Sequence, residues 1–292
     1  MNTENSNRRD FLSKATMAGA SLAALPVISA KTPPTPPKSA ESYVKLLHES
    51  LTHAQRKIIC FPWDHKDQKN GLLRTHVSNN WRITNHALTR GFYTKEQQIL
   101  IRKAWENLVN PDWIERFDKQ FQDDMGGFGK KQGIAIFGNP SEKDHKYEFV
   151  LTGRHGTVRC DGGSEDHVAV GGPIVYGHSA SGYYEKPAHP SNVFWHQAVA
   201  ANDLFKMLDG EQRPQSLPTE APAENNIAFP ANGASFAPLA IDSLPTAQHQ
   251  PSQHVLLSLI APYPHQDQHP PLPPPTTPRL LDPFPFTFST PD

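Results

Sequence analysis

Proline marks out where this chain can build a core. The 292 residues include 29 prolines, and they crowd into KTPPTPPK at 31–38 and PHQDQHPPLPPPTTPRLLDPFPFTFSTPD at 264–292. Proline lacks a backbone donor and locks φ, so neither run can supply helix or inner-strand hydrogen bonds. The first is expected to be an extended linker over 31–41. The second is expected to be a disordered proline-rich tail. Between them, residues 42–263 are the stretch in which apolar positions recur with structural periodicity, and they are expected to form a single domain.

Residues 1–30 read as a processing signal rather than part of that domain. Arg8 and Arg9 precede Asp10, Phe11 and Leu12, the twin-arginine pattern, and a mildly apolar run from Ala15 to Val27 leads to the small residues Ser29 and Ala30. The run is too short and too rich in Ala, Gly and Ser for a stable membrane span. The twin-arginine translocase is therefore the expected partner during export, and the periplasm or cell exterior the expected location. That route carries folded proteins, often with a cofactor already inserted. A net charge of −1 leaves no basic footprint for nucleic acid, which is not expected as a partner.

Within the domain, Val44, Leu47, Leu51, Ala54 and Ile58 recur at three- and four-residue steps, predicting one helix up to Ile59. Thr94 with Gln97 is a capping box opening a second helix, whose stripe is Leu100, Ile101, Ala104, Trp105 and Leu108. Trp113, Phe117 and Phe121 predict a third. The glycines of Met125-Gly126-Gly127-Phe128-Gly129 follow a helix and lead into the strand-like 133–137, the reverse of a nucleotide-binding loop. They read as a tight entry into a sheet, with phosphate binding as a second choice.

The chemistry-bearing residues cluster in 147–208. Phe149 and Leu151 alternate with Glu148, Val150 and Thr152, and Gly153 and Gly156 interrupt the run. Arg154-His155 lacks the Asn-Gly signature of a tight hairpin, so one long bulged strand is expected, with His155, Thr157 and Arg159 on one face and Arg154, Val158 and Cys160 on the other. A further strand ending at Tyr176 would deliver His178. Ser191 or Asn192 should cap a helix with Phe194, Ala198, Ala201, Phe205 and Leu208 buried. The fold class expected is α+β, with N-terminal helices packed on a mixed, mostly antiparallel sheet.

The blocks TGRHGTVRCDGG, GGPIVYGH and EKPAHPSNVFWHQAVAANDLF, with the MGGFG and IAIFG lead-in, resemble the domain of unknown function 3500, over 42–263. The twin-arginine start suits its bacterial members. The family brings no established activity or catalytic residue. Its members continue into further strands where this chain turns proline-rich, so the resemblance implies a domain truncated at its C-terminal end, with a tail like an out-of-frame reading. An inactive truncated product is one implication of that ending.

Two functional readings follow from the residue types. In the first, His155, His178 and His189 ligate a divalent transition metal, with Glu185 and Arg154 as catalytic groups, giving a metal-dependent hydrolase or oxidase. The spacing fits no compact metal signature, and a site assembled across strands requires none. In the second, Arg159, with Arg154, grips a small anionic ligand in a pocket lined by Tyr176, Tyr183, Tyr184 and Trp195, giving a non-catalytic periplasmic binding module. The bland alternative pairs His155 and Arg159 with Asp161 or Glu165 on a sheet face. Cys60 and Cys160 are even in number and could pair after export.

Overall fold

The structure, a computed structural model, describes residues 39–142, 146–162, 174–178, 189–216 and 244–263. The expected signal segment, most of the linker and the tail lie outside the described residues. Helix α1 (Ala40–Ser50) starts inside the expected linker, where Ser39 Oγ accepts from Ser42 N. It is followed by α2 (His53–Ile59), β1 (Cys60–Phe61), β2 (Lys66–Asp67), β3 (Gly71–Leu72), α3 (Lys95–Glu106) and α4 (Ile114–Met125). Then come β4 (Gly133–Gly138), β5 (Tyr147–Gly153), β6 (Gly156–Gly162), β7 (Val175–Tyr176), α5 (Trp195–Met207), α6 (Gln212–Ser216) and α7 (Thr246–Ile260). The main sheet runs β1-β4-β5-β6-β7; β1 lies parallel to β4 and every other pair is antiparallel. The fold is α+β, as expected. Among the described residues no helix is long and apolar enough to cross a membrane.

The helix expected to run unbroken to Ile59 is two helices. Thr52 and Gln55 form a capping box that restarts the chain as α2, as Thr94 and Gln97 do for α3. The two boxes are joined: Gln55 Nε2 donates to Gln97 Oε1 at 2.9 Å, and Gln97 Nε2 donates back to Gln55 Oε1 at 3.1 Å.

Both faces of the sheet are covered, and strand alternation decides which side chain goes where. Ile134, Ile136, Phe149, Leu151, Val158 and Cys160 meet the helices in the main core. Ala135, Phe137 and Val150 face the other way, against Leu73, Ile83, Trp63 and Trp81. On this second face Arg159 and Glu148 form a buried ion pair, Nε to Oε1 at 3.0 Å, with side chains 0% and 4% exposed. Arg159 also donates to the carbonyls of Arg74 at 2.8 Å and His76 at 2.7 Å, which pins the turn at Leu73–Thr75 to the sheet.

The expected long bulged strand is a hairpin. Residues Tyr147 to Gly153 pair with Gly162 to Gly156 in unbroken antiparallel register, and Arg154-His155 make the turn. His155 takes the left-handed conformation, φ 52°, that such turns usually reserve for glycine. Thr157 and Arg159 do share a face, but His155, lying in the turn, escapes the alternation and meets α4 on the helical side.

Helix α5 begins at Trp195 after turns at 189–194, without a side-chain cap from Ser191 or Asn192. Its buried positions are Gln197 and Leu204, with Leu208 beyond its end; Ala198 is exposed. The phase is shifted from the apolar one because the Gln197 amide is satisfied inside, donating to Ser258 O at 2.9 Å and accepting from Tyr176 Oη at 3.0 Å. Helix α7 continues through Pro251 and packs on α5.

Candidate functional site

Helix α4 points Phe117, Phe121 and Met125 into the main core, and the same periodicity carries Gln120 and Asp124 inward beside them. Aspartate is unfavourable at this position on two counts. The last turn of a helix carries the negative end of the macrodipole, and the Asp124 side chain is only 1% exposed. A carboxylate taken out of water costs several kcal/mol unless partners repay it.

The partners arrive from the β5–β6 turn and from the exit of β7. The turn is set by His155 N donating to Asn79 O at 2.7 Å and by a bridge between Arg154 and Asn80. It places His155 Nδ1 2.7 Å from Asp124 Oδ2, an oxygen that also accepts from Gln120 Nε2 at 2.9 Å. Gly177 N donates to His155 O at 3.1 Å, so the exit of β7 is tied to the same turn. The next residue, His178, lies with Nδ1 3.4 Å from the other oxygen, Asp124 Oδ1. The two imidazole side chains are 8% and 7% exposed.

One buried carboxylate thus hydrogen-bonds the His155 ring through Oδ2 and has the His178 ring near Oδ1 without a hydrogen bond. A carboxylate can only accept, so the short contact puts a proton on His155 Nδ1. Both ring nitrogens of His178 and Oε1 of Gln120 are buried without a hydrogen-bond partner among the described residues.

Of the expected site residues, His155 and His178 are brought together and His189 is not. His189 Nδ1 accepts from Ser191 N at 3.1 Å, and the residue lines a groove of about 450 Å³ with Arg116, Lys119 and His196 along the outer side of α4. Glu185, Tyr183 and Tyr184 lie outside the described residues. Arg154 is half-buried in the turn, its carbonyl near Gln120 Nε2 at 3.5 Å. Arg159 is fully buried, and among the described residues it forms an ion pair with Glu148, while Glu165 lies outside the described residues; burial pushes its guanidinium down to about 10. The Tyr176 hydroxyl, with its single proton, lies 3.0 Å from Gln197 Oε1 and 2.5 Å from Leu259 O, while its ring packs on Phe117 and Phe194. Burial pushes that phenol up to about 12. Trp195 stands exposed on α5.

Among the described residues no group of three or more His, Cys, Asp and Glu side chains is set to hold a metal ion. The two cysteines are free. Cys60 sits opposite Ile136, Ile136 opposite Phe149, and Phe149 opposite Cys160. Three strand spacings, about 14 Å, separate them, roughly twice the Cα separation of about 7 Å that a disulfide can bridge.

Asp124 is the functional candidate that reading the sequence misses. Its signal is present all the same: an acid in the final turn of α4, on the buried side of the helix, with no basic residue in that turn. Comparison with family models, with curated proteins and with solved structures finds no match.

Proposed function

We propose that this chain is an exported hydrolase of the family of unknown function that its sequence blocks resemble. In this reading His155 and His178, held by Asp124, move protons between water, substrate and leaving group. The observation that carries it is the convergence of two buried imidazoles on Asp124, His155 hydrogen-bonded at 2.7 Å and His178 Nδ1 3.4 Å from the other oxygen, at a position where helix electrostatics and burial both disfavour an acid. Hydrolysis needs one group to take a proton from water and another to give one to the departing atom, and two imidazoles on one carboxylate supply that pair. Glu185 and Arg154 remain candidates for the same site, and export rests on the twin-arginine pattern at 7–14.

The test is a panel of chromogenic carboxylic and phosphoric esters, assayed with the wild-type chain, Asp124→Asn and His178→Gln. Removing a general acid or base should lower turnover by about a hundredfold or more, while circular dichroism and melting show that both variants remain folded. Equal turnover in all three proteins overturns the reading, as does a folded wild-type chain that cleaves no member of the panel. Metal analysis on the same samples supplies a third outcome. Stoichiometric metal lost on His155→Gln or His178→Gln would replace proton transfer with ligation as the role of these rings.

A further inference from the structure

A second cluster of charge lies at the C-terminal end of α4. A cleft of about 440 Å³ is lined by Thr89, Arg90, Met125, Gly126, Lys130 and Lys131, with no carboxylate among them. Arg90, Lys130 and Lys131 are exposed, and none forms an ion pair among the described residues. The chain as a whole has a net charge of −1, so this group of cations does not follow from a basic composition.

The main chain, not chance rotamers, brings these cations together. Leu88 N donates to Gln132 O at 3.2 Å and Thr89 N to Gly129 O at 3.3 Å, stitching the segment that carries Arg90 to the loop that carries both lysines. The approach requires glycine: a Cβ on Gly129 would lie 2.9 Å from Thr89 Cγ2, and Gly126, Gly127 and Gly129 take φ of 79°, 112° and 83°. The negative pole of α4 accounts for part of the clustering, since Lys130 and Lys131 follow its end and no base lies in its last turn. It does not account for Arg90, delivered from a separate segment into the same cleft. Like charges held together repel, and an anion bound between them removes that repulsion.

We propose that this cleft is a binding site for a phosphate group, free or as a monoester. Arg90 grips two of its oxygens, and Lys130 and Lys131 act as point charges. The inference stands apart from the histidine site, and its test does not read turnover. The full chain is titrated with inorganic phosphate at constant ionic strength, by calorimetry or amide chemical shifts, with chloride as the control. Saturable binding is expected with phosphate only. Arg90→Gln should weaken it at least about tenfold, the loss expected for a charge-assisted pair, with Arg90→Lys intermediate and Lys130→Gln and Lys131→Gln each weakening it a few-fold. Absence of saturation, or an Arg90→Gln chain that binds as the wild type does, overturns the proposal. Lysine variants that lower the melting temperature with phosphate affinity unchanged also overturn it, because the cations then serve only the helix end.

Discussion

Replacing Glu148 by leucine isolates the role of the ion pair beneath the sheet. Glu148 lies 3.0 Å from Arg159 Nε and 3.3 Å from Arg74 Nη1, and the Arg159 side chain is 0% exposed. Without the carboxylate, the buried Arg159 guanidinium loses the ion-pair partner 3.0 Å from its Nε, with the half-buried Arg74 guanidinium nearby. Breaking a buried pair from one side costs about 3–5 kcal/mol. For a domain of this size that corresponds to a fall in melting temperature of roughly 10 °C. The double variant Glu148→Leu/Arg159→Met removes both charges but orphans the carbonyls of Arg74 and His76, which Arg159 caps at 2.8 and 2.7 Å. Each orphan costs about 1–3 kcal/mol, so the double variant should recover only part of the loss. Urea unfolding followed by tryptophan fluorescence measures all three proteins. A Glu148→Leu chain within about 1 kcal/mol of wild type, well below the expected 3–5 kcal/mol, would refute the scaffold role assigned to Arg159 and reopen a ligand-binding one.

The joined capping boxes predict coupling. Gln97→Ala loses bonds to Thr94 N, Ser50 O and Gln55 and should cost about 2–3 kcal/mol, and a double-mutant cycle with Gln55→Ala should show about 1 kcal/mol of non-additivity; additive losses in chemical denaturation would refute the link. Burial, aided by a neighbouring arginine, depresses His48, His76 and His196 below their ordinary 6.5. The folded state then binds fewer protons than the unfolded one at mildly acid pH, so stability is present above about 6.5 and lost as pH falls through the folded values. Melting curves between pH 7.5 and 5 should show this slope, and His48→Gln should flatten it. Burial raises the Cys60 thiol to about 11 and the Cys160 thiol well above its usual range, so the native chain should resist iodoacetamide at pH 8. After denaturation it should show two free thiols by mass; a mass lower by two hydrogens would show the disulfide that the strand register forbids.

Much of the helical layer was legible because its signals are local. The Thr94-Gln97 box and the stripe after it are both visible in sequence, and Ile101, Ala104, Trp105 and Leu108 are buried as the period requires. The break at Thr52 is hidden because Val44, Leu47, Leu51, Ala54 and Ile58 keep helical phase across it, although Gln55 stands three residues after a threonine as Gln97 does. The hairpin is hidden for a different reason. Its left-handed residue is a histidine, and what offsets that cost is distant in sequence: the bond from His155 N to Asn79 O and the contact with Asp124. Local turn preference cannot report on partners contributed by another helix. The site is half legible for the same reason, since imidazoles stand out as a residue type while the acid that gathers two of them sits in a helix otherwise read for its aromatics.

Two buried carboxylates distinguish the scaffold from the candidate site. Glu148 and Asp124 are almost equally sequestered, at 4% and 1% exposure. Glu148 faces guanidinium groups, which stay charged at neutral pH even though burial pushes Arg159 down to about 10, so that pair fixes a turn to a sheet. Asp124 faces imidazoles, the side chains whose ordinary charge change falls between pH 5 and 8, and it does so from the wrong end of a helix. A chain needing only a filled core would place an apolar residue beside Phe121 and Met125 and a glycine in the β5–β6 turn. This chain breaks both local preferences, and the two breaches meet in the contact between Asp124 and His155, 2.7 Å apart. Departures from local consistency that coincide in space are where function is expected, and this coincidence separates the Asp124 cluster from the other polar pairs of the core.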